Sequence, residues 1–249
     1  MADARLEDVA GYLDEYLRIH DLADAPNARN GLQVENAGSV TRIGAAVDAS
    51  ARTIGEAARL GCDLLLVHHG LYWDGDPRVT ARRYRRLKPL LDHGIAVYSA
   101  HLPLDAHEDV GNNAVLARAL GIEIRGRFAG GVGVWGDLDV KRETLAARLD
   151  DVLGRRVHMM LFGPDRTARV GVLTGGGGGL IGEALSAGLD AYVTGEGPHH
   201  THFDAEEGSI NVYYGGHYAT ETWGVKALAA HLAQRYGLPW EFIDHPTGL

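Results

Sequence analysis

A repeat constrains this chain more than any other feature. Residues 42–70 read RIGAAVDASARTIGEAARLGCDLLLVHHG and residues 169–197 read RVGVLTGGGGGLIGEALSAGLDAYVTGEG, aligned without a gap at an offset of 127 residues. Arg42/Arg169, Gly44/Gly171, Ile54/Ile181, Gly55/Gly182, Glu56/Glu183, Ala57/Ala184, Gly61/Gly188, Asp63/Asp190 and Gly70/Gly197 are identical pairs. Each copy runs strand, loop, helix, glycine turn, strand, which is a βαβ unit with parallel strands and a right-handed crossover. The copies continue into IAVYSAHLPLD (95–105) and NVYYGGHYATE (211–221). Both are a strand that ends in small residues, then His, three residues and a carboxylate.

The duplication predicts an α/β protein of two related lobes, residues 1–125 and 165–249. Residues 126–164 connect them as a strand–helix–strand segment. Helices are expected near 112–120 and 222–236, and an amphipathic helix at the N-terminus from Leu6, Val9, Leu13, Tyr16 and Leu17. Met159 and Met160 fall in an apolar strand and read as core.

In open α/β sheets the loops at the carboxyl ends of strands line the functional crevice, and the histidines sit at such ends. Leu64, Leu65, Leu66 and Val67 form a run apolar enough to be buried on both faces, and His68 and His69 follow at once. Imidazoles are costly to bury unpaired. Successive residues of a strand point to opposite sides, so the pair is expected to serve two centres. A His-His pair alone is usually an accident of composition; the His-x3-carboxylate segments change its weight. His68, His69, Asp105, His217 and Glu221 supply three protein ligands to each of two metals if one carboxylate bridges them, with positions left open for water or substrate. Nitrogen and oxygen donors without sulfur suit zinc, manganese, iron, nickel or cobalt. His101 is read as a hydrogen-bonding group beside the ligands in preference to a ligand itself.

Other motifs admit two readings each. TGGGGG (174–179) lies between a strand and a helix, where amides can meet an anion, and serves packing equally well. In GEGPHHTH (195–202), Glu196 and His202 are candidates for proton transfer, against plain loop exposure. RRYRRLK (82–88) reads as a solvated helix face or subunit contact before a nucleic-acid contact. The 249 residues carry a formal net charge of −9, which disfavours a phosphate-backbone binder and points to a small-molecule or protein partner. One cysteine, Cys62, excludes an intrachain disulfide framework and suits a reducing cytoplasm. No export pattern and no apolar run near the roughly 18 residues of a membrane span are present.

The segments NGLQVEN (30–36), LLVHHG (65–70), HLPLDAHEDVGNNAVLA (101–117), TGGGGGLI (174–181), DAYVTGE (190–196) and GGHYATE (215–221) together resemble the Nif-three-like family, whose members are also termed type 2 homologues of GTP cyclohydrolase I. The likeness covers nearly the whole chain and is greatest to the compact bacterial members. It implies a three-layer α/β fold in two related lobes, and a toroidal homo-hexamer whose metal sites face an interior cavity. It also implies a dinuclear centre on His68, His69, Asp105, His217 and Glu221, with Glu221 as the bridge. The expected function is a cytoplasmic metal-dependent hydrolase acting on a nucleotide or another phosphate-containing small molecule, with His101, Glu196 and His202 as catalytic candidates. The alternative is a non-catalytic hexameric scaffold that stores or delivers metal. The glycine run here is longer and plainer than the usual family version, and the GPHHTH loop is richer in histidine.

Overall fold

The computed structural model describes residues 3–75 and 78–249. It divides into two compact units, Met1–Leu104 with Gly224–His245, and Asp105–Trp223 with Pro246–Leu249. The mixed α/β class and the two related halves expected from the repeat are observed.

The first unit holds a five-stranded sheet in the order Trp240–Phe242, Ile43–Asp48, Leu64–His69, Ala96–Ser99, Gly31–Val34. The first four strands are parallel and the last is antiparallel to its neighbour. Leu64, Leu65, Leu66 and Val67 are all buried, each contributing about 1.5–3 kcal/mol. The N-terminal helix, Leu6–Tyr16, buries Leu6, Val9, Ala10 and Leu13 along one stripe.

The second unit holds a six-stranded sheet in the order Glu123–Phe128, Gly133–Lys141, Arg166–Val172, Ala191–Thr194, Asn211–Tyr214, His158–Leu161. Its pleat separates two cores. Val170, Val172, Ala191, Val193 and Tyr213 pack with Leu116, Leu145 and Leu149 from two helices, while Tyr192 and Val212 pack with Ile181, Ala184 and Ala205 from two others. The unit is therefore three layers, helix on sheet on helix.

The repeat is exact in register. Ile43 pairs with Leu64 in one sheet and Val170 with Ala191 in the other, positions 127 residues apart in each case. Asp63 accepts hydrogen bonds from the amides of Thr41 and Arg42, and Asp190 from those of Ala168 and Arg169, so the shared aspartate seats the start of the preceding strand in both copies. Gly61 and Gly188 both sit at φ +67° in the turn after the helix, where a side chain is disfavoured. The copies fall out of step between the second and third strands, where the offset drops from 127, and again after the third. Ala96 and Asn211 are equivalent by pairing, an offset of 115, whereas His101 and His217 differ by 116. The extra residue is Gly216, at φ +92°. His101 thus precedes the four-residue helix Leu102–Asp105, while His217 opens the twenty-residue helix His217–Tyr236.

The compact units divide elsewhere than at the lobe boundaries read from the repeat. Residues 126–164 are integral to the second sheet, because Gly133–Lys141 and His158–Leu161 pair antiparallel with Arg166–Val172 and Asn211–Tyr214. Residues 224–245 belong with the first unit, because Trp240–Phe242 extends the first sheet alongside Ile43–Asp48. Edge pairing of this kind satisfies backbone groups that would otherwise stay open. Of the two methionines expected in the core, Met160 is buried but Met159 is 44% exposed: their strand is at the sheet edge, and alternation turns Met159 outward.

Candidate metal centre

In the first unit His68 and His69 end the strand Leu64–His69, and each is anchored to a different flanking strand. His68 Nδ1 lies 2.9 Å from the Ala100 carbonyl oxygen. A carbonyl only accepts, so Nδ1 carries a proton. His69 Nδ1 lies 2.9 Å from Asp48 Oδ1, and Asp48 is the residue paired with His69 across the ladder. His101 Nδ1 donates to Asp24 Oδ1 at 2.8 Å, while its amide donates to Asn30 Oδ1. Asp24 Oδ2 accepts from Asn30 Nδ2 and the Leu102 amide. Burial alone would raise the Asp24 carboxyl, but the hydrogen bonds from His101, Asn30 and Leu102 outweigh it and hold the group at about 2.

The imidazoles of His68 and His69 do not diverge as strand alternation predicted. Their ring centroids are 4.7 Å apart, His101 stands 4.9 Å from His68, and one ligand nitrogen from each of the three lies within 4.8 Å of the others. At the strand end the rings are steered by hydrogen bonds to the neighbouring strands instead of by the pleat. Trp73 stands beside His101, their ring centroids 4.8 Å apart and the planes at 78°.

In the second unit the helix start places His217 and Glu221 four residues apart on one face. His217 Nε2 is 3.1 Å from Glu221 Oε2, and His217 Nδ1 is 2.8 Å from Glu196 Oε1. The hydrogen bond to Glu221 raises the His217 imidazole against burial, with Glu196 adding to it, to about 9. Asp105 is buried, and its Oδ1 accepts from Asn112 Nδ2 at 2.8 Å and Thr174 Oγ1 at 3.3 Å.

The glycine run braces this group, and its helix, Ile181–Ser186, follows a 3-10 turn, Gly177–Leu180. Gly175 sits at φ +69°, and a Cβ there would lie 2.1 Å from Glu221 Oε1. The Gly175 carbonyl accepts from the amides of Gly195 and Glu196, and the Gly178 amide donates to the Glu196 carbonyl. Of the two readings of TGGGGG, packing is the one these contacts describe.

Glu196 is therefore brought to His217. His202 is turned elsewhere: it lies on the helix Thr201–Gly208, and its ring contacts are to Phe162 and Phe203. In the helix Ala81–Asp92, Arg83 lies 4.7 Å over the Tyr72 ring and Arg86 reaches the Ala49 and Leu71 carbonyls, so part of the basic stretch is packing. Sequence reasoning missed Asp24, Asn30, Asp48, Asn112 and Thr174, which orient the donors. The NGLQVEN segment, the Asn-Asn pair within HLPLDAHEDVGNNAVLA and the TGGGGG run, which opens on Thr174, flagged some of these regions without assigning the residues this role.

The donor chemistry fits divalent cations. Protein imidazoles that bind metal commonly donate their second nitrogen to a carboxylate or carbonyl, which fixes the tautomer. His68, His69, His101 and His217 all do so through Nδ1. The family model described as Duf34/NIF3 (NGG1p interacting factor 3) matches residues 4–247. The chain belongs to the Duf34/NIF3 family. A relative from Deinococcus radiodurans, described as a GTP cyclohydrolase 1 type 2 homolog, is 41% identical over 249 residues, spanning 98% of this chain and 94% of the relative. One from Halobacterium salinarum with the same description is 43% identical, spanning 98% and 99%. Among solved structures, a protein from Thermus thermophilus matches with a TM-score of 0.93 at 43% identity, covering 99% of this chain and 100% of that one. Reduced HcgD from Methanocaldococcus jannaschii matches at 0.87 and 25% identity, covering 98% and 100%. The His and Glu groups described above could hold a metal ion. Among the described residues no helix is long and apolar enough to cross a membrane.

Proposed function

We propose that this Duf34/NIF3 protein is a metal-dependent hydrolase of a nucleotide or another phosphate-containing small molecule, with two divalent ions held by His68, His69, Asp105, His217 and Glu221. The observation that supports the proposal is the Nδ1 anchoring of four histidines on oxygen acceptors, which fixes the orientation of their rings as it commonly does for metal-binding imidazoles. A divalent pair supplies Lewis-acid polarisation and a strong oxygen nucleophile at neutral pH. Glu221 would be the carboxylate shared between the two ions, its negative charge offsetting their mutual repulsion. His101 accepts a proton at Nε2 during turnover, and Asp24 behind it stabilises the imidazolium that results. Glu196 fixes the His217 ring, and Asn112 with Thr174 fixes the Asp105 carboxylate. The name shared by the relatives, GTP cyclohydrolase 1 type 2 homolog, supports a purine nucleotide as the first substrate to try.

The test is a hydrolysis screen on metal-loaded protein, with GTP and nucleotide phosphoesters among the substrates and Glu221→Gln as the control. Turnover lost in the control supports the hydrolase. Full metal loading without turnover of any substrate would make the protein a metal-binding scaffold instead. We further propose a homo-hexamer in the cytoplasm; light scattering that gives a mass near the 26.8 kDa of one chain would overturn the assembly.

A further inference from the structure

The second unit carries another concavity, distinct from the His217–Glu221 pair but next along the chain from Glu196. A cleft of about 500 Å³ opens between the strand ends at Tyr214 and His158 and the first turn of the helix Thr201–Gly208. This lies within the roughly 300–1,000 Å³ of small-molecule sites. Its floor follows from sheet register: Tyr214 faces His158 and Val212 faces Met160, so His158, Met160 and Tyr214 project from one face. The His158 and Tyr214 rings lie 6.1 Å apart and tilted by only 30°. Its wall is Phe203, 48% exposed, with the His199 and His202 rings edge-on at 5.8 and 5.5 Å. Among the described residues lining the cleft there is no Asp, Glu, Lys or Arg, so the surface suits an uncharged, flat, polarisable group.

The polar end of the cleft has a defined hydrogen-bonding sense. Thr201 Oγ1 lies 2.6 Å from the Pro198 carbonyl, which can only accept, so the single Thr201 proton goes there. Tyr214 Oη lies 2.5 Å from the same Thr201 oxygen and must donate its own proton to it. The Tyr214 oxygen is left to accept from a ligand. Gly197 keeps this end open, since a Cβ there would lie 2.3 Å from Tyr214 Oη.

We propose that this cleft binds a flat, uncharged, nitrogen-rich heteroaromatic ring bearing an N–H donor, of the amino-purine class, stacked against Phe203 with its N–H directed at Tyr214 Oη. The proposal rests on the hydrolase reading only in one respect: the rest of the substrate extends past Gly197 towards Glu196 and His217.

The experiment titrates 2-aminopurine riboside, whose fluorescence is quenched by aromatic stacking, into metal-free and metal-loaded protein. Saturable quenching is expected in both. Phe203→Ala should weaken it roughly tenfold, the scale of losing one aromatic stacking partner, and Tyr214→Phe, checked as folded by circular dichroism, should weaken it severalfold. Purine riboside, which lacks the amine, should compete several times less well than 2-aminopurine riboside itself. Glu7→Ala, on the exposed surface of the other unit, should leave the quenching in place. No saturable quenching at millimolar ligand would overturn the proposal, as would quenching that survives both cleft variants. Quenching abolished by His217→Ala yet intact in Phe203→Ala would also overturn it by placing the ring at the metal donors. Quenching that follows the cleft variants in a protein with no hydrolytic activity keeps the cleft and removes only the hydrolase reading.

Discussion

Two glycines of this chain should respond in opposite directions to the same substitution, and the difference isolates what the glycine run does. Gly175→Ala places a methyl group at φ +69°, a conformation that costs a residue with a Cβ about 1–2 kcal/mol. That Cβ would lie 2.1 Å from Glu221 Oε1, whereas ordinary contact begins at 3.4 Å. The carboxylate or the loop must therefore yield by more than about 1 Å. Because the Gly175 carbonyl also holds the amides of Gly195 and Glu196, a loop shift would disturb the group that orients His217. Metal affinity should fall roughly 10- to 100-fold, the usual consequence of disturbing a ligand's support, with a melting temperature lower by about 2–8 °C. Gly55→Ala is the control. Gly55 lies inside the helix Ala51–Leu60 with open space where its Cβ would go, so alanine should stabilise by about 0.5–1 kcal/mol and leave metal binding unchanged. Calorimetric metal titration and thermal unfolding of both variants provide the measurements. If Gly175→Ala bound metal as the parent does, the close approach to Glu221 would have no bearing on the centre.

Glu221→Gln should abolish binding of both ions while His68→Ala weakens chiefly one, as counted by elemental analysis after desalting; two ions retained in Glu221→Gln but none in Asp105→Asn would move the bridge to Asp105. Asp48→Ala removes the acceptor behind His69 and should lower metal affinity by roughly 10- to 100-fold without changing stoichiometry, which isothermal titration would detect. Asp24, held at about 2 in the folded protein against an ordinary 3.8, contributes stability that is full above about pH 4 and is lost as the pH falls towards 2. Asp24→Asn should therefore show a shallower loss of stability in urea between pH 5 and pH 2.5, by roughly 1–2 kcal/mol, and parallel curves for the two proteins would refute this.

The repeat made the βαβ cores legible because what sets them is local. Apolar runs, a glycine after each helix and an aspartate before each second strand lie within 30 residues of one another, and the register they impose is identical in both copies. The five proposed metal ligands stood out for a related reason: histidine and carboxylate at strand ends have few structural uses, so residue type and position together marked them. What the sequence left open depends on contacts between distant segments. Asp24 lies 77 residues from the His101 it orients, and Thr174 lies 69 from Asp105; no spacing rule joins them, because the sheet order brings them together. The two histidines after Val67 were expected to part, since alternation is a rule of the strand, yet hydrogen bonds to flanking strands decide ring direction where the ladder ends. Likewise the GPHHTH loop announced three histidines, but only the fold sends Glu196 to His217 and His202 to Phe162. Local periodicity thus determined the elements and their pairing, whereas donor orientation was decided by tertiary packing, because a side chain's direction is set by whichever partner the rest of the chain delivers to it.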